Sequence, residues 1–108
     1  MASDFLPGTL DMLILKTLTR GANHGYGIAQ HIQQVSEDTL RVGEGSLYPA
    51  LQRLLVAEMV KAEWTTSAET GRKVRSYQIT AAGRKQLAQE KREFDALIAG
   101  IARVMESV

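Results

Sequence analysis

Gly45-Ser46-Leu47-Tyr48-Pro49-Ala50-Leu51-Gln52-Arg53-Leu54 is the most informative stretch of this sequence, because it reads as a helix with two different faces. Its leucines and Ala50 recur at helical spacing and predict an apolar stripe that packs into a core. Tyr48, Gln52 and Arg53 lie on the other face, where a solvated helix usually carries lysine and glutamate. We expect Ser46 to cap this helix and Pro49 to fall in its first turn, where few backbone donors are lost.

Two further helices are expected before this one. Pro7-Gly8-Thr9 opens the first, which Gly21 ends near Arg20, and its apolar face consists of Leu10, Leu13, Ile14 and Leu18. The second follows a turn at Asn23-His24-Gly25 and runs from about Tyr26 to Val35, with an apolar stripe of Ile28, Ala29, Ile32 and Val35. A loop from Ser36 to Gly43 leads into the third helix, which is expected from about Ser46 to Glu58.

The pattern becomes strand-like after the third helix. Val60, Ala62 and Trp64 alternate with polar residues, as in a half-buried strand, and we expect Trp64 to anchor that strand to the core. A polar turn from Ser67 to Gly71 follows, and a second alternating strand contains Arg75, Tyr77 and Ile79. The two strands form a β-hairpin whose tip and flank carry the basic residues Arg72, Lys73 and Arg75.

A long helix is predicted from Thr80, its N-cap, nearly to the end of the chain, and Gly83 weakens its first turn slightly. Apolar residues recur along it with a heptad period that is interrupted at Glu90. Such a helix is about 40 Å long. A domain of this size cannot cover that length, so we predict a dimer interface formed by Leu87, Phe94, Leu97, Ile98, Ile101, Val104 and Met105.

The order helix, helix, helix, hairpin, long helix predicts a mostly α fold with a small β-hairpin. It is typical of a winged helix-turn-helix, here followed by a C-terminal dimerisation helix. The predicted DNA-binding domain spans residues 1–80, and the dimerisation helix spans residues 81–108. A short, rigid third helix that presents tyrosine, glutamine and arginine outward can enter a DNA major groove.

Composition sets limits on this interpretation. The chain has 108 residues, 44% of them hydrophobic, which is enough for one domain with a real core. It contains no cysteine, which excludes disulfides and fits a cytoplasmic location. Its longest apolar run, from Met12 to Leu15, is too short to span a membrane. The net charge of +1 does not by itself indicate nucleic acid, so the argument rests on the local basic cluster of the hairpin.

The sequence offers no catalytic or metal-binding constellation. Neither histidine belongs to a recognisable catalytic motif, and no phosphate-binding glycine loop is present. His24 and His31 are seven residues apart, with Glu37 and Asp38 beyond, which is too loose a spacing to indicate a metal site. We therefore expect neither an enzyme nor a cofactor.

The sequence resembles the PadR family of bacterial transcriptional regulators over roughly residues 6 to 86. The matching motifs are the run from Leu10 to Leu18, His24-Gly25-Tyr26-Gly27-Ile28, Glu44 to Leu51 with Arg53-Leu54, Tyr77-Gln78-Ile79-Thr80, and Ala82-Gly83. The single C-terminal helix is similar to that of the compact branch of the family. The resemblance implies a homodimer on a pseudo-palindromic duplex operator, usually acting as a repressor that some signal releases. It leaves open whether that signal is a small aromatic effector.

The residues expected to contact DNA are Ser46, Tyr48, Pro49, Gln52, Arg53, Arg72, Lys73, Arg75 and His24. Most of them have an ordinary structural alternative. Gln52 and Arg53 can simply be solvated, and so can the basic residues of the hairpin tip. Tyr48 can pack over the edge of the core, and Arg53 can form a salt bridge to Glu58 or Glu44. Arg75 can lie inward with Tyr77, His24 can serve only the local turn, and Tyr26 is expected to be packed.

Two alternatives concern the whole chain. The winged helix could serve as a protein-interaction module without specific DNA binding, although such a module has no need of a basic hairpin. The apolar residues of the last helix could line a drug pocket, but plain dimer packing is the better interpretation. Flat ligands favour aromatic partners, and Phe94 is the one aromatic residue in this helix.

Overall fold

The computed structural model describes residues 8–108, which form four helices and a small antiparallel sheet of three strands. The helices are α1 (Thr9–Leu18), α2 (Gly25–Val35), α3 (Glu44–Val56) and α4 (Ala81–Glu106). The strands are β1 (Asn23–His24), β2 (Val60–Thr66) and β3 (Lys73–Ile79). The predicted mostly α, winged helix-turn-helix architecture is confirmed. Pro7, which was expected to open the first helix, lies outside the described residues.

The first three helices and the base of the sheet enclose one apolar core. Its buried side chains are Leu10, Ile14, Leu15, Leu18, Ile28, Ile32, Leu47, Ala50, Leu51, Leu54, Val60, Tyr77 and Ile79. The helical periodicity therefore predicted most of the core. Val35 is an exception and is exposed, because it is the last residue of α2, where the chain turns away from the core.

The sheet has the order β1-β3-β2. Strands β2 and β3 form the predicted hairpin, from the pair Val60–Ile79 at its base to the pair Thr66–Lys73 near its tip. Strand β1 was predicted only as a turn, but Asn23 pairs with Tyr77. Two residues are too few to show strand alternation, so the sequence contains no periodic signal for β1.

Trp64 does not anchor the hairpin to the core, and that prediction was wrong. Val60 and Tyr77 are buried at the base of the hairpin, whereas the Trp64 side chain is 67% exposed in its distal half. Alternation predicts which face of a strand a residue occupies. It does not predict how far the core extends along that face.

The α3–β2 junction and the start of α4 are joined tightly. Thr80 caps α4 as predicted, since its Oγ1 accepts a hydrogen bond from the Gly83 amide at 3.0 Å. The Thr80 amide donates to the Met59 carbonyl at 3.0 Å. Gly83 is buried at this contact, and a Cβ there would overlap the Met59 carbonyl oxygen. Gly83 therefore permits the close approach of α4 to the Met59 carbonyl. The sequence predicted only that this glycine weakens the first turn of the helix slightly.

Helix α4 begins on the domain and then extends away from it. Leu87 is half-buried against the core, whereas Leu97 is 54% exposed and the apolar residues that follow it are also exposed. The structure as a whole measures 58 × 31 × 21 Å. The distal half of α4 thus presents an apolar stripe that its own domain does not cover.

Candidate nucleic-acid interface

Helix α3 begins earlier than predicted. The amides of Ser46 and Leu47 donate to the Gly43 carbonyl at 3.1 and 2.9 Å, so the first turn is closed by Gly43, which is the N-cap. Ser46 is consequently the third helical residue and not the cap, and Pro49 is the sixth residue, beyond the first turn. Both positional predictions were wrong. The corrected start adds one exposed turn, residues 44–46, to the N-terminal end of the helix.

The exposed face of α3 carries the side chains that were expected to contact DNA. Ser46, Pro49 and Gln52 are exposed, opposite the leucines that enter the core. Tyr48 and Arg53 are five residues apart, which places them about 140° apart around the helix axis. They therefore border this face on opposite sides, with Gln52 between them. The sequence had grouped Tyr48, Gln52 and Arg53 more closely than the structure does.

Tyr48 packs against a neighbouring helix, as its structural alternative requires, and is still partly exposed. Its ring packs against Gly25, where a Cβ would lie 3.1 Å from the ring and from the hydroxyl oxygen. The side chain nevertheless remains 47% exposed. Tyr48 is thus held against the first turn of α2 while half of its surface is available to a ligand.

His24 caps α2, which agrees with the local structural role that the sequence left open for it. Its Nδ1 accepts a hydrogen bond from the Gly27 amide at 3.2 Å, so a neutral ring carries its proton on Nε2. The ring lies parallel to that of Tyr26, with centroids 6.4 Å apart. Tyr26 is exposed, which contradicts the expectation that it is packed. His24 therefore places an N–H donor beside the positive end of the α2 dipole.

Arg53 forms an ion pair, but not with Glu58 or Glu44 as the sequence suggested. Its Nη2 lies 2.8 Å from Oδ1 of Asp11, and its Nε donates to Oδ2 at 3.4 Å. The Arg53 side chain is 59% exposed and that of Asp11 is 19% exposed. Hydrogen bonding to Asp11, together with its negative charge, raises the pKa of Arg53.

The distal half of the β2–β3 hairpin, which we call the wing, separates its charges between two faces. Residues opposite each other in an antiparallel pair share a face. Trp64 is opposite Arg75 and Thr66 is opposite Lys73, so both cations lie on the face of the indole. Glu63 is opposite Ser76 on the other face. The face with Trp64, Arg75 and Lys73, which we call the basic wing face, therefore carries no carboxylate from either strand.

Arg72 and Lys73 lie at the tip of the wing, where both are exposed. The Ser67 hydroxyl accepts hydrogen bonds from the amides of residues 69 and 70, each at 3.3 Å. The Ser67 amide donates to the Arg72 carbonyl at 2.7 Å. Local hydrogen bonds thus hold the backbone of the tip, while the two cationic side chains remain accessible.

Tyr77 lies between the wing and α3 in the structure. Burial raises the pKa of Tyr77. The charge of Arg75 lowers this pKa and electrostatic repulsion from Tyr48 raises it, because both of these side chains lie near Tyr77. Arg75 is exposed, so its inward alternative is not what the structure shows. The buried Tyr77 side chain therefore links the wing to α3.

Within residues 8–108 we find no cluster of three or more histidine, cysteine, aspartate or glutamate side chains suited to a metal ion. His31 contacts Arg20, with 2.7 Å between its Nδ1 and Nη1 of the arginine, whereas His24 caps α2. The described part of the chain also contains no helix with the length and apolarity that a membrane span requires.

A winged helix-turn-helix with an exposed polar third helix and a basic wing is the architecture of many DNA-binding regulators. The transcriptional regulator PadR-like family matches residues 14–89, and the chain belongs to this family. It is therefore a PadR-like, DNA-binding transcriptional regulator, and members of this class are regulators and not enzymes.

Two proteins are similar to this chain in sequence. An uncharacterized protein X of Lysinibacillus sphaericus is 29% identical over 92 residues, which cover 85% of this chain and 84% of that protein. An uncharacterized 37.1 kDa protein in transposon TN4556 of Streptomyces fradiae is 42% identical over 96 residues, 89% of this chain. The match covers only 25% of the Streptomyces protein.

Solved structures show the same fold. A transcriptional regulator from Clostridium thermocellum is 26% identical, with a TM-score of 0.81 over 89% of this chain and 92% of that one. A PadR family transcription regulator from Clostridium difficile R20291 is also 26% identical, with a TM-score of 0.76 over 91% of this chain and 99% of that one.

Proposed function

We propose that the protein is a homodimer that binds a pseudo-palindromic DNA operator. The observation that supports this most strongly is the presence, in one winged helix-turn-helix, of an exposed polar face on α3 and a wing face that carries cations and no carboxylate. Each protomer would place α3 in a major groove and its wing along the flanking backbone. Two copies related by a two-fold axis would then read two half-sites.

The dimer would form through α4. The exposed apolar stripe of its distal half continues into a groove between α1 and α4, whose apolar lining includes Met12, Leu13, Leu87 and Phe94. An uncovered apolar stripe with a heptad period is typical of a helix that packs against another helix. We infer that the α4 helix of a second copy covers it.

The proposal includes repression as the mode of control, because a dimer seated across a promoter blocks the polymerase without any further contact. Release by a small aromatic effector remains an expectation from the family. Phe94, in the groove between α1 and α4, is the aromatic side chain of α4 that could stack on such a molecule.

Replacing both cations at the wing tip, Arg72→Ala with Lys73→Ala, should weaken binding to all duplexes. Each lost phosphate contact should reduce the slope of log K against log salt by about 0.9. Fluorescence anisotropy at four salt concentrations measures that slope. The matched control is Lys85→Ala with Arg92→Ala, which removes the same charge from exposed positions of α4. An equal change in slope for both pairs would mean that the wing contributes only net charge.

Gln52→Ala should change the base preference and leave non-specific binding nearly unaltered. Gln52 lies at the centre of the exposed α3 face, and a glutamine that pairs with adenine contributes about 1–3 kcal/mol of discrimination. Selection from a randomised duplex library by the wild type and the variant measures this preference. Gln78→Ala, near the base of the β2–β3 hairpin and on the opposite face from Arg75, serves as the control and should select the wild-type sequence. Identical selected sequences for Gln52→Ala and the wild type would remove Gln52 from the interface.

A further inference from the structure

The ion pair between Asp11 and Arg53 joins the first turn of α1 to α3, across 42 residues of sequence. Asp11 is largely covered, whereas more than half of the Arg53 side chain is exposed. The carboxylate thus supports the arginine from the protein side, and the guanidinium remains accessible from the solvent side.

The geometry of the contact determines which donors of Arg53 remain available. Asp11 binds the side edge of the guanidinium, which consists of Nε and Nη2. A guanidinium has five N–H donors in a fixed plane, so the end edge formed by Nη1 and the second hydrogen of Nη2 keeps its donors. An end edge of this kind matches the paired acceptors O6 and N7 of guanine in the major groove.

We propose that Asp11 is a positioning residue for DNA recognition, because it holds the guanidinium of Arg53 with its end edge directed toward a guanine. The inference rests on the proposed function, in which the exposed face of α3 enters the major groove. Fixing the arginine before DNA arrives reduces the entropy that is lost on binding. It also limits the orientations in which Arg53 can bind, so Asp11 contributes to sequence specificity without touching DNA.

A double-mutant cycle with Asp11→Asn, Arg53→Ala and the double variant tests this role. The affinity of each protein is measured for the duplex that flanks its own gene and for an unrelated duplex, and the ratio of the two affinities is the preference. Asp11→Asn should reduce the preference for the specific duplex roughly fivefold or more, since one bidentate arginine–guanine contact accounts for that much discrimination. Arg53→Ala should lose at least as much. The double variant should match Arg53→Ala alone, because Asp11 acts only through the arginine.

Glu93→Gln is the matched control, because it removes the charge of a carboxylate that accepts an exposed 3.0 Å hydrogen bond from Nε2 of Gln89 on α4, outside the groove between α1 and α4. It should leave the preference unchanged. Additive losses in the cycle would overturn the inference. Stronger binding by Asp11→Asn would also overturn it, because that result would indicate that Asp11 competes with DNA for Arg53. Failure of the wild type to prefer its own duplex would instead contradict the proposed function.

Discussion

Leu97→Glu with Ile101→Glu should convert the protein to a monomer and weaken operator binding by about 100-fold or more, because the second half-site would no longer be held by the first. Both side chains are about half exposed and lie beyond the core, so the domain itself should stay folded. Sedimentation velocity measures the oligomeric state, and fluorescence anisotropy measures the affinity for DNA.

The control for this variant uses the same helix and the same change in charge. Ala99→Glu with Ala102→Glu places two glutamates at exposed α4 positions outside the heptad seam. This variant should remain dimeric and lose little affinity. If the seam variant stays dimeric, or if both variants dissociate equally, the α4 seam is not the dimer interface.

Gly83→Ala should destabilise the domain by about 2 kcal/mol, because overpacking a close contact costs about 3 kcal/mol at the upper end of its usual range and alanine recovers about 1 kcal/mol of helix propensity. An alanine Cβ would overlap the Met59 carbonyl oxygen and lie 2.8 Å from Cγ1 of Ile79. Because the first of these atoms belongs to the backbone, the chain must shift, and this cost exceeds the gain in helix propensity of about 1 kcal/mol. Thermal unfolding followed by circular dichroism should show a fall in Tm of about 10 °C.

Gly45→Ala is the comparison, since a Cβ at this exposed position of α3 meets nothing within 4 Å. Its Tm should equal or slightly exceed that of the wild type, because alanine is the better helix former. A Gly83→Ala protein as stable as Gly45→Ala would show that the contact with Met59 relaxes freely.

The sequence could predict the features that depend on local periodicity. The apolar residues of α1 and α3, the cap at Thr80 and the heptad of α4 all follow from spacing along one helix. The resemblance to a known family supported the order of the elements and the prediction that α3 contacts DNA.

The features that escaped prediction depend on contacts between distant residues. Nothing near Arg53 in the sequence indicates that Asp11 is its partner, and nothing near Gly83 indicates the Met59 carbonyl. Trp64 continues a correct strand alternation, but the core ends before that residue. The start of α3 was misplaced because Ser46 is a good capping residue, whereas Gly43 closes the turn through its backbone carbonyl.

Methylation interference on the duplex that flanks the gene is the most direct test of the claim that the exposed α3 face lies in the major groove. Methylation of guanine N7 changes only the major-groove edge. The account predicts two groups of interfering guanines about one helical turn, roughly 34 Å, apart. Binding that is indifferent to N7 methylation at every position would contradict it.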